Sequence, residues 1–287
     1  MANSGKVLVT GATGNTGSAL VPALRNAGVD VRVFVRNESK AQPLKELGVE
    51  VVVGDMDNPQ TLAPAVEGVD KIYLLTWNGP TQEQQAKSAI EMAKKAGNPH
   101  IVRHSMWGSE KSRIIKQGYA ADEAIKSSGM PWTILRPTFF MQNTMMAAQT
   151  IASDGMIYMS MKDGKLAMID IRDIVDSAVA VLTGEDHEGK DYILTGPEAI
   201  SFHDIASTFS KVLGKDVKYV NVPGEAATQS MVDMGLPEWI AKGYEELSEG
   251  FSENFASKAT DNVANLTGHP ARSFEQFARD FAQVFGG

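Results

Sequence analysis

The run Gly5-Lys6-Val7-Leu8-Val9-Thr10-Gly11-Ala12-Thr13-Gly14-Asn15-Thr16-Gly17-Ser18-Ala19-Leu20 limits the possible folds more than any other stretch. Val7–Val9 predicts a short strand, the glycines a tight turn, and Leu20, Val21 and Leu24 the apolar side of a helix. Glycine lets the main chain turn sharply and approach a ligand, while the first N–H groups of the helix stay unpaired at the positive end of its dipole. Strand, glycine turn and helix in this order make a diphosphate site. The spacing is Gly11-x-x-Gly14-x-x-Gly17, not the G-x-G-x-x-G of ordinary dehydrogenases.

The same alternation continues along the chain. Val31–Val35, Val49–Val53, Lys71–Leu75, His100–His104 and Trp132–Leu135 read as strands, with helical patterns near 15–27, 39–47, 58–66, 81–96 and 113–128. This is the βαβ rhythm of an α/β fold, a Rossmann-type doubly wound parallel sheet. Runs such as Val51-Val52-Val53 lack polar alternation, which predicts strands covered on both faces. Pro22 lies inside the first helical pattern, where it removes a donor and predicts a kink.

After Arg136-Pro137 the pattern loosens, so residues 1–136 are expected to form a nucleotide-binding core. Residues 137–287 then form mainly a smaller C-terminal α/β lobe for substrate, with some segments packing back on the core. In that lobe Leu166–Ile169 and Tyr192–Leu194 read as strands and Ile171–Leu182 as a helix. Ser201-Phe202-His203-Asp204 and Ser273-Phe274-Glu275-Gln276 carry helix-start signals. Phe274, Phe277, Phe281 and Phe285 follow at helical spacing, the pattern of a core stripe.

A chain of 287 residues, 43% apolar, can bury a large core without covalent staples, and it has no cysteine with which to build one. That excludes disulfides, thiolate metal sites and a cysteine nucleophile. With neither a basic apolar leader nor an apolar run of about 18 residues, a cytoplasmic protein with no membrane partner is expected. A formal charge of −8 and no basic patch argue against nucleic acid. His100 and His104 share a strand and so lie about 13 Å apart, too far for one metal ion; no metal is expected.

Candidate site residues fall at the predicted strand ends. Val35-Arg36 stands about 20 residues past the glycines, where an NAD enzyme places a carboxylate for the ribose hydroxyls. A guanidinium there suits a 2′-phosphate, and Lys40 adds charge, which points to NADP(H). Asp55, followed by Met56, either accepts from the adenine amino group or caps a helix near Pro59. Thr76-Trp77 and Ser105-Met106-Trp107 end the fourth and fifth strands, where an open α/β sheet holds its ligand. Trp77 and Trp107 either stack a flat aromatic substrate or fill a crevice.

Together these motifs resemble the NmrA-like branch of the atypical short-chain dehydrogenase/reductases. The resemblance also rests on Ser128-Gly129-Met130-Pro131-Trp132-Thr133-Ile134-Leu135-Arg136-Pro137 and Leu266-Thr267-Gly268-His269-Pro270. That branch holds NADPH-dependent quinone, azo-dye and triphenylmethane reductases, and NADP-sensing regulators without chemistry. The resemblance implies that Gly11, Thr13, Asn15 and Thr16, with Gly14 and Gly17 of the same turn, line the diphosphate. It places Arg36 at the 2′-phosphate, Asp55 and Met56 at the adenine, Thr76 at the ribose, and Pro137 to Phe140, including Phe139, at the nicotinamide.

One departure bears on mechanism. Short-chain dehydrogenases carry Tyr-x-x-x-Lys on the helix after the fifth strand, where the lysine lowers the tyrosine pKa from about 10. Counted back from Met130-Pro131, these positions fall on Ile114 and Gly118. Tyr119 has Glu123 four residues on, and Lys126 is about 10 Å along the axis. Without the relay, alcohol–ketone interconversion and sugar-nucleotide epimerisation are disfavoured. Hydride delivery to a quinone-like, azo or other conjugated aromatic acceptor is not. Ser105, Tyr119 and Lys116 are the remaining catalytic candidates, with Trp77, Trp107, Phe139, Phe140 and Asn143 lining the substrate crevice. The alternative is a regulator that binds NADP(H) and reports it to a protein partner; a monomer or homodimer is expected in either case.

Overall fold

The computed structural model describes residues 5–287. Eleven strands form: β1 Lys6–Thr10, β2 Asp30–Val35, β3 Glu50–Val53, β4 Lys71–Leu74, β5 His100–His104, β6 Trp132–Pro137, β7 Met156–Met159, β8 Lys165–Leu166, β9 Lys190–Leu194, β10 Ile200–Ser201 and β11 Lys218–Asn221. Seven make one sheet in the order β3-β2-β1-β4-β5-β6-β9. The pairs from β3 to β6 are parallel. β9 follows β6 in the same sense, with Gly189 N–H bonding Trp132 O at 2.7 Å and Thr138 N–H bonding Leu194 O at 3.0 Å. Chain order reverses between β1 and β4, the switch point of a doubly wound sheet, where the loops beyond the carboxyl ends diverge and leave a crevice.

Two compact units are present. The first runs through Met106 and takes back Gln117–Arg136 and Ile174–Tyr192; the second comprises Trp107–Lys116, Pro137–Asp173 and Ile193–Gly287. Trp107–Lys116, on the core side of the sequence division at 136, thus clusters with the second unit, and Ile174–Tyr192 returns to the first. The reason is non-local: β9 joins the parallel sheet beside β6, a pairing 50 or more residues away that periodicity does not carry.

In the first unit, Leu8, Ile72, Leu74 and Ile101 pack with Ala86, Ala89 and Ala93 of the helix Gln82–Lys95 and with Ala121 and Ile125 of the helix Arg113–Lys126. Alanines on the helix let it lie close against β-branched and leucine side chains. The second unit is built on aromatic rings: Phe202, Phe209, Phe251, Phe274, Phe277 and Phe285 are all buried. The Phe274–Phe285 stripe is therefore core. Both start signals act as caps: Ser201 accepts from Asp204 N–H at 3.2 Å while Asp204 accepts from Ser201 N–H at 2.9 Å, and Ser273 accepts from Gln276 N–H at 3.2 Å.

Several elements differ from the sequence expectation. The patterns at 39–47 and 58–66 each fold as a 3-10 turn followed by about one α turn, Glu38–Ala41 with Gln42–Glu46 and Pro59–Leu62 with Ala63–Val66. Pro43, Pro59 and Pro64 allow a first turn but remove the donors a longer helix needs. Pro22 sits within a continuous helix, Asn15–Asn26. β3 is an edge strand, so Val51 and Val52 are half-buried and Val53 is 48% exposed, against the two-sided burial expected. Leu166–Ile169 is a strand only at Lys165–Leu166, because Ala167 and Ile169 donate to Ala256 O and Phe139 O outside that pairing. Among the described residues no helix is long and apolar enough to cross a membrane.

Two histidines on β5 are expected to make the first unit acid-sensitive. His100 bonds Thr133 Oγ1 through Nε2 at 2.9 Å, and His104 pairs through Nδ1 with the Tyr73 hydroxyl. Burial, reinforced by Lys71 and His187, pushes His100 from 6.5 down to about 4; burial, reinforced by Arg103, pushes His104 down to about 3. Below 6.5 the unfolded chain takes up protons that the folded one refuses, so stability falls as pH falls, by about 1.4 kcal/mol per pH unit for each histidine. Urea midpoints between pH 6.5 and 5 should drop accordingly, and His104→Gln should remove about half of the slope. An unchanged slope in that variant would show that His104 is not the group responsible.

Candidate functional site

The glycine turn has the geometry its spacing predicts. Gly11 has φ +66°, a conformation that side-chain-bearing residues avoid, and a Cβ there would sit 2.9 Å from Leu75 Cδ2. At Gly17 a Cβ would lie 2.2 Å from Gly11 O, so the helix can start this close to the turn only with glycine. Gly14 differs: a Cβ would meet only Gly11 O, at 3.4 Å, and the residue is exposed. It is the N-cap of Asn15–Asn26 and offers no side-chain acceptor, which leaves the first-turn N–H groups for an anion. The Thr10 hydroxyl donates to Leu75 O at 2.8 Å and accepts from Leu75 N–H at 2.8 Å, tying the end of β1 to that of β4.

Beyond these strand ends lies a cavity of about 570 Å³, lined by residues that include Gly11, Thr13, Gly14, Arg36, Lys40, Asp55, Met56 and Trp77. It thus gathers eight sequence-selected residues from the loops after β1, β2, β3 and β4. Arg36 and Lys40 are exposed, and neither side chain makes a hydrogen bond or ion pair among the described residues. The nearest acid in sequence, Glu38, is drawn to Lys45 at 2.8 Å, which holds its carboxyl below the usual range and away from the rim. Asn37 Oδ1 accepts from Ser39 N–H at 2.9 Å and shapes the turn that carries Lys40. Two unpaired cations beside first-turn helix amides are the kind of group that could hold more than one phosphate. Asp55 does not cap the Pro59 turn, whose N-cap residue is Asn58; its Oδ1 accepts from Asp57 N–H at 3.0 Å.

Beneath the carboxyl ends of β5 and β6 is a buried ion cluster. Asp122, fully buried, accepts from Arg103 Nε at 3.3 Å, from Arg136 Nη1 at 2.6 Å and from the Ser105 hydroxyl at 2.6 Å. Arg136 also grips Asp191, at 2.7 and 3.0 Å. Burial works against both guanidiniums. Arg103 ends below its usual range, whereas Asp191 and Asp122 raise Arg136 above it. The Ser105 proton is therefore committed to Asp122, not turned to solvent. Tyr119 is half-buried with its ring 4.7 Å from the Arg136 guanidinium, a cation–π contact. Lys116 is exposed and belongs to the second unit. Gly118 is buried but not crowded, since a Cβ would meet Gln82 and Met106 no closer than 3.7 Å.

The other candidates are held differently. Thr76 is buried and donates to Gln82 Oε1 at 3.4 Å. Thr16 and Gly17 are buried under the turn, while Asn15 is exposed at the first helical position. In the second unit, Phe139 packs edge-on against Phe251 and Phe202 at 5.7 and 6.5 Å, and Trp107 lies 5.4 Å from Phe255. Pro137 is buried, and its carbonyl accepts from Trp107 N–H at 2.8 Å. Phe140 bridges Ile169 through its main chain, and Asn143 is half-buried in the turn Met141–Ala147. Sequence reasoning missed Phe34, Asn37, Leu75 and Gln85 in the cavity lining. Asn37 carried a signal, as an Asx residue just after a strand; Gln85 carried none.

A doubly wound parallel sheet with a glycine turn and a cationic rim at its switch point defines an α/β protein of the Rossmann type. More particularly, the chain belongs to the NmrA-like family, whose model matches residues 3–276. It is 38% identical over 283 residues to an NAD(P)H azoreductase of Xenophilus azovorans, covering 98% of this chain and 99% of that one. It is 34% identical over 283 residues to a (4-alkanoyl-5-oxo-2,5-dihydrofuran-3-yl)methyl phosphate reductase of Streptomyces griseus, covering 97% and 99%. A solved structure of an NADPH-dependent quinone oxidoreductase of Escherichia coli, complexed with NADPH, superposes with a TM-score of 0.87 at 26% identity, covering 96% and 99%.

Proposed function

We propose that this chain is an NAD(P)H-dependent oxidoreductase that prefers NADPH and reduces a quinone-like, azo or other conjugated acceptor without a tyrosine–lysine proton relay. The observation that carries the nucleotide choice is the pair of unpaired cations, Arg36 and Lys40, at the rim of the cavity. The residues present fit the nucleotide: Gly14 and the first-turn amides suit the diphosphate, the Arg36 fork suits a 2′-phosphate, and Asp55 offers an acceptor to the adenine amino group. Bound there, NADPH supplies the hydride. The Ser105 hydroxyl is held as a hydrogen-bond donor to Asp122, and Gly118 has no side chain with which to lower a tyrosine pKa. The chain's part is then positioning, which supplies several kcal/mol of barrier lowering, and the reduced acceptor takes its proton from water. Acceptors whose reduced form is a stable anion or amine suit such a site; those that would become a free alkoxide do not. The azoreductase and quinone oxidoreductase relatives support this acceptor class.

A second reading, an NADP(H)-binding regulator, is favoured by one observation: Ile114, at the family's tyrosine position, is buried at 1% exposure, and Gly118 stands for the lysine. Purified protein mixed with NADPH and a panel of azo dyes and quinones, followed by nicotinamide absorbance, separates the two. Steady oxidation is expected with at least one acceptor. Tight binding of both NADP and NADPH with no oxidation by any of them would replace the enzyme with the regulator.

A further inference from the structure

Gln85 is a buried amide, 3% exposed, that nevertheless lines the cavity. Its Oε1 accepts from Trp77 N–H at 3.2 Å, and its Nε2 donates to Asp57 Oδ1 at 2.8 Å and to Thr81 Oγ1 at 3.3 Å. Asp57 in turn donates its N–H to Asp55 Oδ1 at 3.0 Å. One side chain thereby joins the loop after β3 to the loop after β4. The Trp77 indole is 44% exposed and makes no ring contact among the described residues, yet it is not free to swing. A Cβ on Gly79 would stand 2.3 Å from its Cε3 and Cζ3, so the benzo ring rests on the main chain, and Gly79 N–H closes a tight turn onto Trp77 O at 2.8 Å. A large apolar ring pinned at a cavity rim with no protein partner is arranged for a flat ligand.

The position selects the ligand. Phe34, Arg36, Asn37, Lys40, Asp55 and Met56 line the cavity with Trp77 and come from the ends of β2 and β3. In a doubly wound sheet this half of the crevice takes the adenosine part of a dinucleotide. We infer that Trp77 is the wall on which the adenine stacks, and not an acceptor-binding residue, and that Gln85, through Asp57, is the positioning residue that sets this ring and the Asp55 carboxylate in register. The inference rests on the dinucleotide reading above and adds which groups recognise the adenosine end.

The test uses the full-length protein with adenosine 2′,5′-bisphosphate and nicotinamide mononucleotide as separate probes. Adenosine 2′,5′-bisphosphate should quench part of the emission of the four tryptophans. Trp77→Leu should abolish that quench and weaken this probe on the order of tenfold, with nicotinamide mononucleotide unaffected. Gln85→Glu keeps the acceptor for Trp77 N–H but sets two carboxylates face to face, so it should weaken the bisphosphate several-fold. Adding Asp57→Asn supplies an amide donor at position 57 and should restore most of the loss, a recovery that merely filling the buried space would not produce. A quench and affinity intact in Trp77→Leu, or an effect confined to the KM of the electron acceptor, would overturn the stacking role. A double variant no better than Gln85→Glu alone would overturn the latch. Failure of the wild-type protein to bind adenosine 2′,5′-bisphosphate would sink the nucleotide site itself and this inference with it.

Discussion

Arg36→Glu is expected to weaken NADPH binding about 100-fold or more while changing NADH by less than about threefold. A hydrogen bond to a charged group contributes about 1.5–3 kcal/mol, and each 1.4 kcal/mol is tenfold in affinity. Losing a forked contact therefore accounts for about one to two powers of ten, and a carboxylate facing a dianionic phosphate adds repulsion. NADH has no 2′-phosphate and gives Arg36 nothing to hold. The exposure of Arg36 also predicts that the preference shrinks as salt rises, because rim charges are screened. Lys40→Ala should act in the same direction with a smaller loss, since an ammonium is a point charge without the fork. Titration of each variant with both nucleotides at low and moderate salt checks this. Equal losses for the two nucleotides would leave Arg36 without a role in choosing between them.

Asp122→Asn should reduce the stability of the first unit by about 3–5 kcal/mol. The carboxylate is the shared partner of Arg103 and Arg136, both almost wholly buried, and of the Ser105 hydroxyl. An amide of the same shape removes the negative charge and turns two N–H groups toward guanidiniums that have no water to turn to. Breaking one partner of a buried ion pair strands the other, which is why the loss exceeds that of a surface pair, about 0–1 kcal/mol. Asp191 keeps a hold on Arg136, so Arg103 is the group left most exposed to this cost. Urea unfolding at pH 7 reads the effect, with Glu275→Gln as a surface control expected to leave the midpoint nearly unchanged. A loss for Asp122→Asn as small as the control's would mean that the cluster is not what holds β5, β6 and the helix Arg113–Lys126 together.

Strands β1 to β6 and the helices Asn15–Asn26, Gln82–Lys95 and Arg113–Lys126 were legible because each announces itself within a few residues, whereas the helices Gly224–Asp233 and Glu238–Ser252 and the strands β7 and β11 went unread. Val7–Val9 and the glycines after it define β1, the turn and the helix Asn15–Asn26 without help from any distant contact. The short turns at 38–46 and 59–66 were over-read as helices, because apolar periodicity says nothing about how soon a proline ends a turn. Arg36 and Lys40 could be read from the sequence by their distance from the glycines; that both are unpaired could not, because it depends on Glu38 turning to Lys45. Ser105 looked like a hydroxyl at a strand end, and only the fold shows Asp122 and Arg136 closing around it.

By itself the sequence determined the alternation of strand and helix through β6, the glycine turn and the cation after the second strand, since all of these rest on neighbours in the chain or on fixed spacings. The tertiary structure alone decided that β9 joins the parallel sheet beside β6, that Ile174–Tyr192 clusters with the first unit, and that Gln85 ties Asp57 to Trp77. It also decided that Arg103 and Arg136 meet at the buried Asp122, with Asp191 gripping Arg136 from the exposed side. None of those outcomes is announced by a local pattern in the chain, and such contacts form only when burial makes a satisfied polar partner worth more than the lost freedom of the chain between them.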